Sequence, residues 1–455
     1  MTMAIQGPVD VVIEGCYLAT VNAAGDEFGN GHVVIKDGLI ASAGRGPAPR
    51  CETALRIDGR GTLVTPGLVN THHHLYQWIT RGYAVDHTLF QWLTTLYPIW
   101  ARITADLLHD AAAANLAVMA LSGCTTSTDH HYVFPSGVGD LLEAEITAAA
   151  EIGLRFHPTR GSMNLGKSAG GLPPDEVVET HDAILAATAA AIDKWHDPSF
   201  DSMLRIAVAP CSPFSVTTDL MRESAELARE KGVRLHTHLA ETEDEDAFCL
   251  EKYGRTPAQY AEDLGWLGPD VWMAHCVHLG DDAVARFGET GTGVAHCPTS
   301  NGRLGAGIAP TRKLLDAGAP VGLGVDGAAS NESGRMSEEI HQSLLLARGR
   351  GGPLALDGRE ALRMATMGGA RCLGRENEIG SIEVGKLADV AVWRLDDLSA
   401  AGVLDPVSVL ALGAPALDSL FVGGRRIVGA GALLTADPHQ LARAARQASW
   451  TIARP

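Results

Sequence analysis

The sequence predicts an α/β fold in which a distorted (β/α)8 TIM-like barrel carries a small discontinuous β-sandwich domain formed by both termini. Three observations predict this fold. Eight apolar runs of strand length alternate with Ala- and Leu-rich helical segments in the middle of the chain, and eight parallel strands close such a barrel. Short alternating strands occur at both ends instead. The 455 residues and 47.8 kDa exceed the roughly 250 residues of a bare barrel, which leaves chain for a second unit.

Both ends of the chain are predicted to be β structure. Residues 9–21 (VDVVIEGCYLATV) and 32–44 (HVVIKDGLIASAG) are rich in β-branched residues, and the second segment contains a turn-forming Asp-Gly, a pattern typical of short strands. Similar patterns return at residues 380–395 (GSIEVGKLADVAVWRL) and 419–431 (SLFVGGRRIVGAG). Open strand edges at both termini are covered if these strands pair with one another. We therefore predict that the termini form one β-sandwich domain.

The middle of the chain supplies the predicted barrel. From residue 63 onward, each apolar run of strand length is followed by a helical segment. We assign residues 63–375 to the barrel, and residues 1–62 and 376–455 to the β-sandwich. The eight runs are LVTPGLV, GCTTSTDHH, LRFHPT, LRIAVAP, VRLHTHL, VWMAHC, GVAHCP and PVGLGVDG.

Composition and charge narrow the possible classes of function. The net charge of −18 and the pI near 5.4 leave no basic stripe to neutralise phosphates, which argues against a nucleic-acid polymer as partner. The N-terminus has no basic start followed by a long apolar run, and no apolar stretch reaches the roughly 18 residues of a membrane span. We expect a cytoplasmic protein that binds no membrane. The eight cysteines include no CxxC pair, so neither a disulfide framework nor a zinc knuckle is indicated.

Histidines and acidic residues fall at the ends of the predicted strands, where barrel enzymes carry their catalytic groups. His72 and His74 end the first barrel strand, and their period-two spacing directs both side chains to the same side. Two imidazoles on one side of a strand can bind a single cation. The fifth, sixth and eighth strand ends carry, respectively, His238 with Glu241 beyond it, His275, and Asp326.

Three of these imidazoles and one carboxylate form a predicted metal-binding set. The predicted ligands are His72, His74, His238 and Asp326. Neutral nitrogens with one carboxylate suit Zn²⁺, with Fe²⁺ as the alternative, and leave a position for water. A divalent ion in such a site lowers the pKa of bound water to about 7. The set therefore predicts a hydrolase that uses a divalent metal as cofactor.

Four motifs in this order resemble the amidohydrolase superfamily, and the resemblance covers nearly the whole chain. Residues 66–74 (PGLVNTHHH) are similar to the PGxxxxHxH opening of that superfamily, and residues 238–241 (HLAE) to its strand-five ligand and acid. Residues 325–327 (VDG) are similar to its strand-eight aspartate, and residues 380–390 (GSIEVGKLADV) to a sandwich segment usual in the family. The resemblance implies a barrel hydrolase with a metal centre.

The resemblance also implies a subtype. Binuclear members bridge two metals with a residue on strand four, whereas here residues 207–212 read AVAPCS, so one metal is implied. The HxxE pattern with His275 resembles the mononuclear aminohydrolase branch, which acts on amino-substituted heterocycles. By that resemblance Glu241 is the proton shuttle that protonates a ring nitrogen, and Asp326 with His275 takes a proton from water. Ammonia is released and a ring carbonyl remains.

The sequence indicates the identity of the substrate heterocycle less directly. Gln77 stands where guanine deaminases and several triazine hydrolases carry a glutamine that contacts the ring. Guanine deaminases usually also carry an arginine in the loop after strand four, whereas residues 210–214 read PCSPF here. This departure counts against plain guanine.

Three segments, residues 70–82, 209–216 and 296–310, most resemble the 8-oxoguanine deaminase branch, which is close to hydroxydechloroatrazine ethylaminohydrolases. The resemblance implies hydrolysis of 8-oxoguanine, bound as a free base, to urate and ammonia. A homo-oligomer is expected. The hypothetical substrate contacts are Gln77, Cys211, Trp78 and Asn301, with Trp92, Tyr97 or Phe214 as further ring neighbours.

Alternatives remain at the sequence level. Isocytosine or guanine deamination, and amine or chloride removal from a triazine, use nearly the same site. A non-catalytic scaffold is a more distant alternative, against which the complete ligand set argues. A base-flipping deaminase requires H-x-E with P-C-x-x-C, which the chain lacks.

For two segments near the predicted site, the sequence is consistent with two different roles. His130 and His131, at the end of the second strand, either reach the pocket or form a structural hydrogen-bonded pair. Residues 89–100 (LFQWLTTLYPIW) are apolar and aromatic enough to form either a lid or an interface.

Overall fold

A computed structural model describes residues 7–413 and 415–454 of the chain. Residues 1–6, 414 and 455, which fall in the predicted β-sandwich ranges, lie outside this description. The N-terminal strands are rich in valine and isoleucine, which pack well in a sheet; Val12 and Ile13 are fully buried. These strands are β1 (Val9–Ala19), β2 (Glu27–Lys36), β3 (Leu39–Arg45), β4 (Thr53–Asp58) and β5 (Thr62–Pro66).

Eight short parallel strands then close into a barrel. Hydrogen bonds link them in one closed ring, and every residue in them is buried, as expected of a parallel sheet covered on both faces. The barrel strands are β6 (Leu68–Asn70), β7 (Cys124–His131), β8 (Arg155–Ser162), β9 (Ala207–Pro210), β10 (Leu235–Leu239), β11 (Val271–His275), β12 (Gly293–His296) and β13 (Val321–Leu323).

Helices follow the barrel strands, and the helix over residues 218–231 illustrates how they form. In this helix, Leu220, Met221 and Ala225 are buried at helical spacing, the Thr217 hydroxyl accepts from the Leu220 N–H, and left-handed Gly232 ends the helix. The helices up to the last barrel element are α1 (Leu89–Trp100), α2 (Ala105–Leu121), α3 (Leu141–Ile152), α4 (His181–Trp195), α5 (Thr218–Lys231), α6 (Glu243–Tyr253), α7 (Pro257–Asp263), α8 (Asp281–Thr290), α9 (Pro298–Arg303), α10 (Thr311–Asp316), α11 (Met336–Gly351), α12 (Gly358–Arg363) and α13 (Gly369–Cys372), with a short 3-10 helix at Leu75–Thr80 and a π-helical turn at Met364–Gly368.

The C-terminal strands join those of the N-terminus. β14 pairs antiparallel with β5, which places both termini in one nine-stranded sheet of order β17-β16-β15-β14-β5-β1-β2-β3, with β4 beside β1. The remaining elements are β14 (Val390–Arg394), α14 (Ser408–Leu412), β15 (Leu417–Val422), β16 (Arg425–Gly429), β17 (Ala432–Leu433) and α15 (Pro438–Ala453).

The predicted fold class is confirmed: eight parallel strands close into a barrel, and strands from both ends of the chain form one additional sheet. One detail differs. The first predicted barrel run, residues 63–69, is divided: β5 pairs with β14 in the terminal sheet, and only β6 enters the barrel. A single continuous apolar run cannot reveal this division, because both parts are buried.

A buried ion pair connects the barrel to the terminal sheet. The Arg155 guanidinium, at the start of β8, contacts the Asp389 carboxylate at 3.0 Å, and both side chains are almost fully buried. The Gly423 N–H also donates to Asp389. Among the described residues, no helix combines the length and apolarity needed to cross a membrane.

Candidate metal and active site

The structure brings the four predicted metal ligands together at the carboxyl ends of the barrel strands. His72 and His74 follow β6, His238 lies in β10 and Asp326 follows β13. The Nε2 atoms of His72 and His74 each lie 3.4 Å from Asp326 Oδ1, and the Nε2 atoms of His74 and His238 lie 3.1 Å apart. All four side chains are buried.

Hydrogen bonds determine which ring nitrogen of His74 and of His238 is unprotonated and able to bind a metal. His74 Nδ1 lies 2.7 Å from the carbonyl oxygen of His130, and His238 Nδ1 lies 2.7 Å from that of Cys211. A carbonyl oxygen only accepts, so both Nδ1 atoms carry the proton and both Nε2 atoms present lone pairs.

This donor set fits a divalent metal. Burial lowers the pKa of His74 to about 4 and those of His72 and His238 well below their usual value, so the rings are neutral. His72 Nε2 is buried without a hydrogen-bond partner. Burial opposes ionisation of Asp326, but the neighbouring histidines, His72 first among them, hold its pKa well below its usual value. Converging lone pairs beside one carboxylate match the ligands that Zn²⁺ prefers.

Glu241 and His275 lie beside this set. His275 Nε2 is 3.6 Å from Glu241 Oε2 and 3.9 Å from Asp326 Oδ2. Burial raises the pKa of Glu241 to about 7. Burial lowers the pKa of His275, but the nearby carboxylates of Glu241 and Asp326 outweigh burial and raise it. A carboxyl with a pKa of about 7 and an imidazole with a raised pKa therefore lie side by side, an arrangement suited to proton transfer.

The backbone is strained where these side chains leave the strands. Ala240, His275, Cys276 and Asp326 all have left-handed backbone, with φ of 50°, 69°, 51° and 62°. Such conformations in residues other than glycine cost free energy and concentrate at functional sites. The strained residues lie at or beside the predicted catalytic residues at three strand ends.

Buried side chains support the strained segments. The Glu245 carboxylate accepts from the N–H groups of Ala240, at 2.9 Å, and Glu241, at 3.0 Å. The Ser300 hydroxyl donates to Asp326 Oδ2 at 2.5 Å. Neither Glu245 nor Ser300 was predicted as a site residue. Ser300 lies next to the predicted Asn301, but nothing in its local sequence separates it from other loop serines.

A cavity of about 390 Å³, mouth included, opens beside the predicted ligands. Helix α1 supplies one wall through Leu89, Trp92, Leu93 and Tyr97. The segment that was predicted to be a lid or an interface therefore borders the pocket. The other lining residues are His74, Gln77, Tyr132, Cys211, Ser212, Phe214, His238, Glu241, His275, Leu304, Asp326 and Ser330.

Two of the four hypothetical substrate contacts line this cavity. Gln77 is buried, its Oε1 has no hydrogen-bond partner, and its amide packs where a side chain on Gly327 would otherwise lie. The Cys211 sulfur lies 4.0 Å from His238 Nδ1. Burial raises the pKa of the Cys211 thiol to about 12. Cys211 is therefore a neutral thiol.

The other two hypothetical contacts lie elsewhere. The Arg81 guanidinium stacks on the Trp78 ring, with its central carbon 3.7 Å from the ring centre. Trp78 lines a separate surface cavity beside α15. Asn301 Oδ1 lies 2.9 Å from His275 Nδ1, so Asn301 orients the imidazole of His275. The structure does not place either residue along the cavity wall beside Glu241.

His130 and His236 pack against the predicted metal ligands. His130 Nε2 lies 2.9 Å from the Ala209 carbonyl oxygen, and its ring stacks on that of His238 with centres 4.7 Å apart. His236 Nε2 lies 2.8 Å from His72 Nδ1. Both are fully buried. These histidines therefore support the ligands.

Comparison with known proteins agrees with this geometry. A model of the amidohydrolase family matches residues 63–427. The chain is 47% identical to 8-oxoguanine deaminase of Pseudomonas aeruginosa over 400 residues, covering 87% of this chain and 88% of that protein. It is 35% identical to hydroxydechloroatrazine ethylaminohydrolase of Pseudomonas sp. (strain ADP), covering 94% of this chain and 92% of that protein.

A solved structure with the same fold contains zinc. The crystal structure of atrazine chlorohydrolase from Arthrobacter aurescens TC1, complexed with zinc, superposes with a TM-score of 0.92 at 33% sequence identity. The match covers 96% of this chain and all of that chain (100%).

Proposed function

The chain belongs to the amidohydrolase family, and from that premise we propose that it hydrolyses 8-oxoguanine to urate and ammonia. It is a hydrolase acting on carbon–nitrogen bonds, and its reaction is the metal-dependent deamination of an amino-substituted heterocycle. The observation that carries the proposal is the position of Glu241. Its carboxyl, with a pKa of about 7, lines the cavity together with His275 and Asp326.

We propose His72, His74, His238 and Asp326 as the ligands of one divalent ion, Zn²⁺ in preference to Fe²⁺. When bound, such an ion lowers the pKa of water towards neutrality and so supplies the nucleophile. A single ion is favoured because β9 ends at Pro210, and Cys211 and Ser212, which follow, offer no bridging carboxylate or lysine.

Different side chains around the cavity accept and donate protons during the reaction. Asp326 and His275 accept the proton of the attacking water, and Glu241 in its protonated form donates to the ring nitrogen beside the amino-bearing carbon. Protonation of that nitrogen weakens the aromatic resistance to attack. A carbon–oxygen bond forms, and the amino group takes the proton that Asp326 and His275 accepted. The carbon–nitrogen bond then breaks and ammonia leaves, while the proton of the new hydroxyl group restores the protonated form of Glu241 as the ring carbonyl forms. Water and 8-oxoguanine are consumed in equal amounts.

Polar and aromatic groups of the cavity suit a small fused ring. The unpartnered Oε1 of Gln77 offers an acceptor to a ring or amino N–H, and the neutral Cys211 thiol and the Ser212 hydroxyl are further weak or adaptable partners. Trp92 and Tyr97 supply flat apolar surface.

A panel of amines tests the proposed substrate. Ammonia release is measured from 8-oxoguanine, guanine, isocytosine, adenine, cytosine and hydroxylated triazines, with Zn²⁺ supplied. The proposal predicts the largest kcat/KM for 8-oxoguanine, with isocytosine and guanine weaker because they share its guanidine-like edge. A larger kcat/KM for guanine or isocytosine would replace the substrate and keep the reaction. No ammonia or amine from any compound would remove the aminohydrolase assignment.

A second candidate is displacement of an alkylamine or chloride from a triazine. The structural similarity to the zinc-containing atrazine chlorohydrolase favours it, since one water-activating site serves either leaving group. Release of alkylamine or chloride from triazines, without ammonia from 8-oxoguanine, would select this candidate. Cytoplasmic location and homo-oligomeric assembly stay predictions.

A further inference from the structure

A second buried cluster lies behind the predicted metal ligands, and the proposed reaction does not use it. Asp129 and His131 belong to the end of β7, and Glu145 lies on α3. All three side chains are buried to 0% exposure, and their ligand-type atoms lie within 4.8 Å of one another. None of them lines the cavity beside Glu241.

The cluster is connected to the histidine segment through Leu75. Asp129 Oδ1 accepts from the Leu75 N–H at 2.6 Å, and Leu75 directly follows the proposed ligand His74. Two further bonds join the same segments: the His130 N–H donates to the His73 carbonyl at 2.7 Å, and His74 Nδ1 donates to the His130 carbonyl at 2.7 Å. The end of β7 therefore holds the ligand-bearing segment at three points.

The hydrogen bonds of His131 require a proton between the imidazole and Glu145. His131 Nε2 lies 2.7 Å from the carbonyl oxygen of Val133, so Nε2 carries the proton of the neutral ring. Its Nδ1 lone pair then faces Glu145 Oε1 at 3.2 Å. Two acceptors do not attract each other. A protonated Glu145 carboxyl that donates to His131 Nδ1 satisfies both atoms.

A second proton satisfies the other end of the cluster. Asp129 Oδ2 and Glu145 Oε2 are buried without a hydrogen-bond partner among the described residues, although the two side chains are neighbours. Two adjacent buried carboxyls do not both ionise. Burial raises the pKa of Glu145 to about 8 and that of Asp129 well above its usual value. A protonated Asp129 that donates to Glu145 Oε2 leaves every polar atom paired.

We propose that Leu75, Asp129, Glu145, His131 and Val133 form one uncharged hydrogen-bonded chain, which makes Asp129 a positioning residue for the metal ligand His74. The chain runs from the Leu75 N–H through the two carboxyls and the imidazole to the Val133 carbonyl. Through Asp129 it provides one of the three contacts by which the end of β7 holds the segment that bears His72 and His74. The inference rests on the metal site of the proposed function.

A cation in the cluster is the main competing explanation. Asp129, His131 and Glu145 with a divalent ion would also sum to zero charge. The nearby Arg160 does not neutralise the cluster, because its guanidinium pairs with Glu179 at 2.7 Å. Side-chain amides separate the two explanations. Asn and Gln can accept and donate as neutral carboxyls do, but they lack the charge that a divalent ion requires.

The test compares amide with apolar variants in the full-length protein loaded with Zn²⁺. D129N and E145Q should keep Zn²⁺ affinity, kcat and KM close to wild type. D129A, which removes the acceptor for Leu75, should lose about 10–100-fold in Zn²⁺ affinity, as loss of a residue behind a metal ligand does. KM of the loaded enzyme should change little. E145L should also weaken Zn²⁺ binding, but less than D129A does. It replaces D129A in the test if D129A does not fold.

D389N is the matched control for a purely structural effect. It weakens a buried contact at the other end of the barrel strands, so it should lower the melting temperature without changing Zn²⁺ affinity. If D129A and E145L also lose only thermal stability, the positioning role is overturned.

Two further results would overturn the uncharged chain. One is that D129N and E145Q are as damaging as D129A. The other is two Zn²⁺ per wild-type chain, with one lost in D129N or E145Q. A wild-type protein that binds no Zn²⁺ would instead refute the proposed function on which the inference rests. Metal content of the wild type therefore distinguishes the two failures.

Discussion

His236 Nε2 lies 2.8 Å from His72 Nδ1, and the other nitrogen of His236 lies 2.8 Å from the Trp272 carbonyl oxygen. Because the carbonyl only accepts, His236 Nδ1 carries a proton and its Nε2 accepts the proton of His72 Nδ1. His72 Nε2 is thereby left as a lone pair, 3.4 Å from Asp326 Oδ1. His236 sets the tautomer of a proposed metal ligand.

Replacing His236 by Phe should weaken metal binding. The ring volume is retained, but His72 loses the acceptor that fixes its tautomer, and a loss of about 10–100-fold in Zn²⁺ affinity is expected. H236Q, which offers an amide acceptor and donor, should lose less. Competition with a chromophoric chelator measures both variants. Equal affinity in H236F and wild type would show that the tautomer of His72 does not depend on His236.

E241Q should separate catalysis from metal binding. The amide is nearly isosteric but cannot donate the carboxyl proton, so kcat should fall about 10²–10⁴-fold. Zn²⁺ content should stay at the wild-type level, because Glu241 is not among the proposed ligands. Steady-state kinetics and elemental analysis of the same preparation provide the test, and loss of the metal would identify Glu241 as a ligand.

The rate should depend on pH through Glu241. Burial raises its pKa to about 7, so the protonated, donating form predominates below about pH 7 and is lost as the pH rises through that value. A decline of kcat with one apparent pKa near neutrality is therefore expected on the alkaline side. The residual activity of E241Q should lack this decline. A rate that increases steadily through pH 7 and beyond would contradict a protonated Glu241 as the donor.

Glu245 should affect turnover through the backbone of Glu241. Removal of its carboxylate in E245A frees two N–H groups and relaxes the left-handed Ala240. A displacement of a catalytic group by about 1 Å can cost about 10²-fold in rate, so a fall of that order in kcat is expected with Zn²⁺ affinity unchanged. A240G is the control for the backbone strain at residue 240 alone, because glycine adopts positive φ without strain and the Glu245 side chain is retained. Wild-type kcat in a folded E245A would contradict the role.

R155M should destabilise the whole protein. It leaves the Asp389 carboxylate buried without its guanidinium partner, and breaking a buried pair costs about 3–5 kcal/mol. R56M is the control, because the Arg56–Glu14 pair is largely exposed and contributes at most about 1 kcal/mol. Denaturant unfolding compares the two variants. Equal losses would show that the buried pair contributes no more to the free energy of unfolding than the Arg56–Glu14 pair does.

The convergence of the predicted ligands follows from the sequence because strand geometry determines it. Side chains at strand ends of a closed parallel barrel meet at one face, and His72 and His74 share a side at period two. Location at a strand end therefore sufficed to bring His238, His275 and Asp326 near them. No knowledge of the loops was needed for that step.

The substrate side could not be predicted in the same way, because loops and short helices position it. Gln77 and Trp78 are neighbours in a 3-10 helix, so their side chains point in different directions, and only Gln77 reaches the cavity. Asn301 lies on α9 and turns towards His275. The link from Asp129 to Glu145 joins a strand to the next helix, and neither residue stands in a recognisable motif.

The most direct test of metal-dependent deamination is ammonia release from 8-oxoguanine measured together with metal content. The purified protein is stripped with a chelator and then titrated with Zn²⁺. Ammonia release should be absent from the stripped protein and should rise in proportion to Zn²⁺ until one ion is bound per chain, with urate formed in equal amount. Undiminished ammonia release from protein without metal, or saturation with one Zn²⁺ per chain without any ammonia, would contradict the account.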